Sequence, residues 1–223
     1  MIIDNVLKDD KGFIELQDFM GSDLDIVSAA RVSYLGDSRG DDSDKKLLFY
    51  LMNNEHMSPF ETAQIRMVVK CPIFVARQWM RHRSFHYNEV SRRYTSDDID
   101  FYIPNRWRTQ SVENKQGSGN YVSDEYNKEL SKNLSNICEK SLILYHSMID
   151  GGVSKELARM SLPHNLYTKF VFVADLRNLL HFCRLRSDRH AQWEIQQYSD
   201  AILHGVIKNT FPWTYEAFIL YNK

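Results

Sequence analysis

The most chemically distinctive stretch of the chain is residues 77–93, RQWMRHRSFHYNEVSRR, in which basic side chains dominate. Its single acid is Glu89, and its basic residues are Arg77, Arg81, His82, Arg83, His86, Arg92 and Arg93. Guanidinium groups donate hydrogen bonds in pairs and match the geometry of phosphate oxygens. Asn88, Glu89 and Ser91 add polar groups within and after the basic run. The segment therefore predicts a site for a ligand with a charged end and a polar ring.

A solvated basic helix end is the structural alternative for this segment, because cations near a helix C-terminus are favoured. On a helix, however, Gln78 lies three residues before Arg81 and four before His82, so these side chains can point the same way. That convergence, together with the polar residues that follow, favours a ligand site.

A second basic cluster lies in CRLRSDRHAQWE, residues 183–194. Helical spacing places Arg177, His181 and Arg184 on one face, opposite a leucine-rich stripe, and Arg186 near the helix end. The residues between these charges are apolar, which indicates a partly buried arginine with a specific partner. Arg159, just before Pro163, is a third possible contributor.

Other catalytic patterns are weak or missing. No glycine-rich dinucleotide motif, phosphate-binding loop or serine elbow occurs in the sequence. Cys71, Cys138 and Cys183 lie far apart and read as packing residues, so we expect neither disulfides nor a thiol nucleophile. His190 and Glu194 have i, i+4 spacing but no third ligand, which favours a helix-surface pair over a metal site. If the protein is an enzyme, we expect a bound cofactor to carry the chemical step.

Composition and charge limit the remaining classes. The chain has 223 residues, 43% of them hydrophobic and 26% charged, which fits one globular domain over residues 1–223 and excludes disorder. A net charge of −1 does not predict nucleic-acid or membrane binding. No apolar run reaches the roughly 18 residues of a membrane helix, and the N-terminus does not resemble a signal peptide. We therefore expect a cytoplasmic protein.

The elements that must position these residues alternate between helical and strand patterns. Asp23, Ser123 and Asp175 are candidate N-caps, and Gly151-Gly152 is a helix stop. The predicted helices are 23–35, 43–55, 72–81, 123–150, 175–186 and 190–208. The predicted strands are 62–70 and 166–175, residues 93–103 are read as extended, and 84–92 and 105–120 are read as loops. The class is α+β or mixed α/β in one domain.

The stretch RHRSFHYNEVSRRY resembles the signature of flavin-dependent thymidylate synthases, which is Arg-His-Arg, seven residues, then Ser. Here it is Arg81-His82-Arg83 followed by Ser91, with Asn88-Glu89 and Arg93-Tyr94 in their expected places. Other segments look like family segments in family order: GSDLDIVSAARVSY, EHMSPFE, PIFVARQWMRHR, FYIP, LPHNLYTKF, LRSDRHAQWEIQQY and FPWTYEAF. The resemblance spans nearly the whole chain, apart from the loop after Pro104.

The resemblance implies an α+β fold with a central mixed or antiparallel sheet flanked by long helices. It implies that dUMP is converted to dTMP with a methylene group from 5,10-methylenetetrahydrofolate. FAD, reduced by NADPH, supplies the hydride. It also implies a homotetramer with active sites at subunit interfaces, and no metal.

Motif position also implies roles for individual residues. Arg186 would face the uracil ring, stabilise negative charge on it and act as the catalytic residue. The other residues of the dUMP site would be Gln78, Arg81, Glu89, Val90, Ser91, Arg92, Arg93 and Arg159. The FAD contacts would be Ser58, Arg81, His82, Arg83, Ser84, Glu89, Asp175, Arg177 and His181. The sequence departs from common family residues at His86, Arg92, Asp175 and His181.

Two other function classes remain open at this point. Arginine clusters with aromatic side chains could bind single-stranded nucleic acid by stacking. The candidate platforms are Trp79, Phe85, Tyr87, Tyr94 and Trp107. Scattered histidines and acids could instead serve a metal-dependent hydrolase, although their spacing is poor.

Overall fold

The computed structural model describes residues 1–112 and 117–221. These residues form a main sheet of five strands, a separate two-stranded sheet, and the helices around them. The strands are β1 (Ile2–Asp4), β2 (Phe13–Met20), β3 (Gln64–Pro72), β4 (His86–Glu89), β5 (Arg108–Gln110), β6 (Ser118–Tyr121) and β7 (Tyr167–Asp175). The longer helices are α1 (Asp23–Arg31), α2 (Asp41–Asn53), α3 (Ile73–Trp79), α4 (Asp124–Asp150), α6 (Leu176–Arg186), α7 (Trp193–Ala201) and α9 (Pro212–Tyr221). The short helices α5 (Lys155–Ala158) and α8 (Lys208–Thr210) complete the set.

The main sheet has the order β1-β2-β3-β7-β4, and every pairing within it is antiparallel. Strands β3 and β7 pair over nine positions, from Gln64 opposite Asp175 to Pro72 opposite Tyr167. Strand β3 carries β-branched residues and β7 carries both β-branched and aromatic residues, which favour a pleated, buried surface. The prediction of an α+β domain is confirmed, with the antiparallel form of the sheet.

Three strands of this sheet were not predicted. Strands β1 and β2 lie in a region without an assigned element, and β4 lies within 84–92, which was read as a loop. The sequence of β4, HYNE, is polar because it pairs only with β7 at the sheet edge. Of the predicted loop 105–120, the described part contains the β5–β6 hairpin, and residues 113–116 lie outside the described residues. Residues 93–103, predicted to be extended, form no named strand. Phe101 makes an isolated antiparallel β-bridge with Leu166.

The helix boundaries follow local capping chemistry. Ser123 caps α4, Gly151 ends it, and Asp175 caps α6 by accepting from the Asn178 backbone N–H, as predicted. The prediction that Asp23 caps α1 is wrong, since Ser22 does so. Asp23 is buried and accepts hydrogen bonds from the backbone N–H groups of Trp213 and Thr214. It therefore ties α1 to α9.

Aromatic side chains between the sheet and the helices form the core. Trp79, at the end of α3, is fully buried with its ring 4.7 Å from that of Phe182 on α6. The predicted stripe of α6 is buried as expected: Leu176, Leu179, Leu180 and Cys183. The predicted helix 190–208 begins at Trp193 and passes through a π-helical turn, Ile202–Ile207. Across the described residues, no helix has the length and apolar character needed to cross a bilayer.

Candidate active site

Arg186 is the last residue of α6, and uncharged groups hold its guanidinium. Its Nε donates to Nε2 of His82 at 3.0 Å, and its Nη2 donates to the backbone carbonyl of Gln78 at 3.2 Å. Burial lowers the pKa of Arg186, and the nearby charge of Arg81 lowers it further. Among residues 1–112 and 117–221, no carboxylate forms an ion pair with it. Its positive charge is therefore held in place but not neutralised.

His82 lies in the turn after α3 and is 8% exposed. Its ring packs against Phe182, with centroids 4.9 Å apart, and against Phe85. Burial, together with the charges of Arg186 and His181, lowers the pKa of His82 to about 4. The ring is therefore neutral near pH 7 and can accept the hydrogen bond from Arg186. We call Arg186, His82 and the Gln78 carbonyl the Arg186 cluster.

The predicted alignment of Gln78, Arg81 and His82 on one helical face is only partly right. Helix α3 ends at Trp79, so Arg81 and His82 lie beyond it; Arg81 is exposed while His82 is buried. The side chain of Gln78 donates to Oε1 of Gln192 at 2.5 Å. The three residues nevertheless lie around Arg186. Gln78 contacts it through its backbone carbonyl, His82 through Nε2, and Arg81 acts on it through its nearby charge.

The exposed face of α6 borders a groove of about 480 Å³, which we call the α6 groove. Its lining is Glu55, Met57, Arg177, Asn178, Leu180, His181 and Arg184. Arg177 pairs with Glu61, and Arg184 lies 3.7 Å from Glu55. The prediction that Arg177, His181 and Arg184 share one face of α6 is therefore confirmed. The positive charge of the two arginines is partly offset by Glu61 and Glu55.

Other residues predicted to contact the flavin lie around this groove or near the Arg186 cluster. Ser58 begins a short 3₁₀ turn directly after Met57, which lines the groove. Arg83 and Ser84 are exposed on the turn between α3 and β4. Both carboxylate oxygens of Asp175 accept from Asn178, from its backbone N–H and its side-chain amide. Asp175 thus fixes the start of α6.

A second, smaller cavity of about 280 Å³ lies between α3 and the end of β4, and we call it the basic cavity. Its lining is Ile73, Ala76, Arg77, Met80, Glu89, Val90, Arg92, Arg159, Leu162, Leu166, Tyr167 and Thr168. Four of these lining residues were predicted for the dUMP site: Glu89, Val90, Arg92 and Arg159. The lining also contains Arg77, which the motif comparison did not single out although it belongs to the basic run. Its position one turn after the start of α3 was the available signal.

The segment after β4 is held by its own contacts. Glu89 accepts from the hydroxyl of Thr168 at 2.6 Å, and the Val90 N–H donates to the carbonyl of Lys169 at 2.8 Å. That N–H is therefore already engaged within the protein. The guanidinium of Arg92 donates to the backbone carbonyls of Asp97 and Asp98.

Arg93 and Arg159 converge on the same residue of α5. Arg93 lies 3.3 Å from the Glu156 carboxylate, and Nε of Arg159 donates to the Glu156 carbonyl at 3.2 Å. The backbone N–H of Arg93 donates to the hydroxyl of Ser91 at 3.3 Å, which closes a tight turn. Of these residues, Arg159 lines the basic cavity, and Arg93 is linked to it through Glu156.

The structure disfavours the alternative functions. Trp79 and Phe85 are 0% and 4% exposed, so they cannot serve as stacking platforms for a nucleic acid. The prediction that His190 and Glu194 form a surface pair is wrong. Glu194 is buried and accepts from Arg108 at 2.7 Å, while His190 contacts Asp188. In the described part of the chain, no three His, Cys, Asp or Glu residues are grouped to hold a metal.

The cysteines behave as packing residues, as predicted. Cys71, Cys138 and Cys183 are unpaired and buried. Burial raises the pKa of Cys183 to about 12 and raises that of Cys71 well above its usual value. Neither of these two thiols is a nucleophile at neutral pH.

Fold and site together define an α+β protein with arginine gathered at three places: the Arg186 cluster, the α6 groove and the basic cavity. Residues 15–213 match the family model described as thymidylate synthase complementing protein. The flavin-dependent thymidylate synthase of Ehrlichia ruminantium (strain Gardel) is 45% identical over 214 residues, covering 95% of this chain and 72% of that protein. That of Thermotoga neapolitana is 44% identical over 212 residues, covering 95% and 93%.

A solved structure shows the same fold. The UMP/dUMP methylase PolB from Streptomyces cacaoi, bound with 5-Br dUMP, aligns with a TM-score of 0.86 and 30% sequence identity. The alignment covers 95% of this chain and 96% of that one. The chain therefore belongs to the family of flavin-dependent thymidylate synthases.

Proposed function

We propose that this chain catalyses the reductive methylation of dUMP to dTMP, with 5,10-methylenetetrahydrofolate as carbon donor. FAD is the proposed cofactor and NADPH the reductant. The observation that carries the proposal is the guanidinium of Arg186, held by uncharged acceptors in a chain of this family. A fixed, uncompensated positive charge stabilises an anionic pyrimidine during attack on the methylene carbon. The PolB relative, whose solved structure contains 5-Br dUMP, supports a uracil nucleotide as ligand.

The substrate phosphate is assigned to the basic cavity, which Arg77 and Arg159 line, with Ser91 and Arg93 on the segment that follows β4. Paired N–H donors of guanidinium groups suit phosphate oxygens, and each charged hydrogen bond is worth about 1.5–3 kcal/mol. Glu89, braced by Thr168, can accept from a hydroxyl or ring N–H of the same ligand. Neither Cys71 nor Cys183 can supply a nucleophile, so activation of the ring falls to Arg186.

The α6 groove fits the nucleotide part of a flavin cofactor. Arg177, Arg184 and His181 supply donors for a diphosphate, and Met57 and Leu180 supply an apolar floor. When bound, FAD would supply two-electron reduction, which no side chain of this chain can provide. Ser58, Arg81, Arg83, Ser84 and Asp175 are the remaining proposed contacts.

A homotetramer with shared active sites is proposed from the distribution of these residues. Glu89, Val90, Arg92 and Arg159 line the basic cavity, whereas Gln78, Arg81 and Arg186 meet elsewhere. No hydrogen bond or ion pair among the described residues joins the two groups. A second copy could complete each site.

The long helix α4 supports an assembly of this kind. Only Cys138 and Tyr145 of its 27 residues are buried. Ile137, Ile143 and Leu144 are 57%, 62% and 48% exposed, which leaves apolar surface for another subunit. The three unpaired cysteines fit a reducing compartment and support a cytoplasmic location.

The first test is retention of flavin. Purified protein is mixed with FAD, desalted, and its visible spectrum recorded; about one FAD per chain is expected. Formation of dTMP is then measured with 5,10-methylenetetrahydrofolate and NADPH, using dUMP and UMP in parallel. A folded protein, by circular dichroism, that retains no flavin and forms no methylated product would overturn the proposal.

Site sharing between subunits is tested by mixing the R186A and R159A variants and assaying them at a dUMP concentration well below KM, where both parents have low activity. If the two residues come from different subunits of one site, mixed tetramers regain part of the activity that both parents have lost. Mixing that restores nothing, with subunit exchange verified by mass spectrometry, would place both residues in one subunit's site.

A further inference from the structure

The hydrogen bond between Arg186 and His82 fixes the tautomer of the histidine. A guanidinium Nε always carries a proton and can only donate. His82 Nε2, 3.0 Å away, must therefore be the acceptor. In a neutral imidazole the single proton then lies on Nδ1. The contact is thus a donor–acceptor pair of defined direction, not a meeting of two cations.

Two other arginines that are at least partly buried pair with carboxylates, whereas the partly buried Arg92 donates to backbone carbonyls. Arg31 pairs with Asp44, and Arg108 with Glu194, in contacts where the acids are almost fully buried. A carboxylate fixes a guanidinium but also cancels its charge in a low-dielectric setting. A neutral imidazole fixes the same group through Nε and leaves the charge intact. That difference matters only if the charge of Arg186 has a ligand to act on.

We propose that His82 is a positioning residue for Arg186, a neutral acceptor that orients the guanidinium toward the substrate ring without neutralising it. The inference rests on the proposed function, in which Arg186 stabilises negative charge on the pyrimidine. It concerns the imidazole ring of His82 and adds to the flavin contact that the resemblance implied for this residue.

The groups around His82 fit this role. Arg186 and His181 face its ring from α6, and Tyr87 of β4 donates from its hydroxyl to the His82 backbone carbonyl at 3.1 Å. Phe85 and Phe182 pack on the ring and restrict its rotation. None of the described residues gives His82 a carboxylate partner that would favour its protonated form. The pKa of about 4 agrees with a ring that stays neutral during catalysis.

Two substitutions separate the acceptor from the bulk of the ring. In His82→Gln, the side-chain oxygen can take the place of Nε2, so a neutral acceptor remains. In His82→Met, the side chain has similar length and no comparable acceptor. We expect H82M to lower kcat for dUMP by about 10²-fold, because small displacements of catalytic groups cost rates of this order, and H82Q to stay within about tenfold.

The controls test whether the loss acts through Arg186. Flavin content per chain should equal that of the wild type in both variants, and thermal unfolding should confirm that both fold. The double variant H82M/R186K should be no slower than R186K alone, because the two residues act as one unit. The matched control His204→Gln changes an exposed histidine that contacts Tyr215 and should leave kcat unchanged.

A measurement without flavin or substrate tests the inference separately. In protein with ¹⁵N-labelled histidine, the signals of His82 are those that disappear in H82Q. They should show the Nδ1–H tautomer from about pH 5.5 to pH 8. An Nε2–H or protonated ring over this range would overturn the inference.

The two hypotheses fail in different ways. If the wild type forms dTMP while H82M matches it, or while H82M loses activity in proportion to flavin, the inference fails and the proposed function stands. If the wild type forms no dTMP but the Nδ1–H tautomer is observed, the proposed function fails. The orientation of Arg186 by His82 is then retained.

Discussion

Helix α6 presents arginine in two contrasting environments. Along its exposed face, Arg177 and Arg184 pair with Glu61 and Glu55 in water-accessible positions. At its end, Arg186 is partly buried, and within residues 1–112 and 117–221 its hydrogen-bond partners are a ring nitrogen and a carbonyl. The same residue type is thus compensated in the α6 groove and uncompensated in the Arg186 cluster.

The comparison teaches that the partner of an arginine decides what it can do. An exposed ion pair contributes about 0–1 kcal/mol to stability and gives up little when a ligand replaces the acid. A desolvated guanidinium without an acid is costly to bury, and that cost is recovered only when an anion arrives. The α6 groove is suited to reversible binding, and the Arg186 cluster to stabilising charge that develops during a reaction.

The largest expected effect is on Arg186 itself. Arg186→Ala should lower kcat for dTMP formation by about 10²–10³-fold, because it removes a preorganised electrostatic contact. Flavin retention should stay near the wild-type level. Arg66→Ala, which removes an exposed arginine that contacts Gln17, is the matched control. Wild-type turnover in R186A would remove the distinction between the two arginine environments.

The second effect concerns stability at acid pH. The pKa of His82 is lowered to about 4 in the folded chain, so the unfolded chain takes up a proton first as the pH falls below about 6.5. Stability should therefore decline between about pH 6.5 and pH 4, by up to about 3 kcal/mol from this group. Urea unfolding across this range should show a smaller decline for H82Q. Equal declines in both proteins would contradict the assigned environment of His82.

A third, intermediate effect is expected in the basic cavity. Arg159→Gln and Arg77→Gln should each raise KM for dUMP about 10- to 100-fold, because each removes a charged donor to the phosphate. The value of kcat should change much less, since a phosphate contact is equally strong before and during the reaction. An unchanged KM in R77Q would restrict the phosphate site to the residues that the sequence motif implied.

The smallest effect is expected in the α6 groove. Arg177→Gln should change the free energy of unfolding by less than about 1 kcal/mol, because its ion pair with Glu61 is exposed. Flavin affinity, measured by fluorescence titration, should weaken by less than about tenfold, since Glu61 already offsets the charge. Glu61→Gln should tighten flavin binding. If R177Q lost flavin affinity by as large a factor as R186A lost turnover, Arg177 would not be an arginine whose charge is offset by an acid, and the contrast with Arg186 would fail.

Local signals predicted most of the helices and the two central strands. The caps at Ser123 and Asp175 were readable because capping depends on one side chain and its next few neighbours. Strand β4 was not, because HYNE is polar and its conformation depends on pairing with β7, more than eighty residues away in the chain. Asp23 was misread for a related reason: its partners lie on α9.

The candidate site followed the same division. Residue types, spacing and the family resemblance selected Arg186, His82 and the basic run as candidate site residues. They could not reveal that His82 accepts a hydrogen bond from Arg186 across 104 positions of sequence. Arg77 belongs to the predicted basic run, but only the cavity shows that it borders the same space as Arg159.

The position of both arginine environments on one helix also limits how this chain can change in length. An α-helix turns by about 100° per residue, so one residue inserted between His181 and Arg186 would carry the guanidinium away from His82. The same insertion in the connection between β5 and β6, which form a separate two-stranded sheet, would leave the register of α6 unchanged. We therefore expect length variation among related sequences to collect in that connection and at the ends of the chain, and to be excluded from α6.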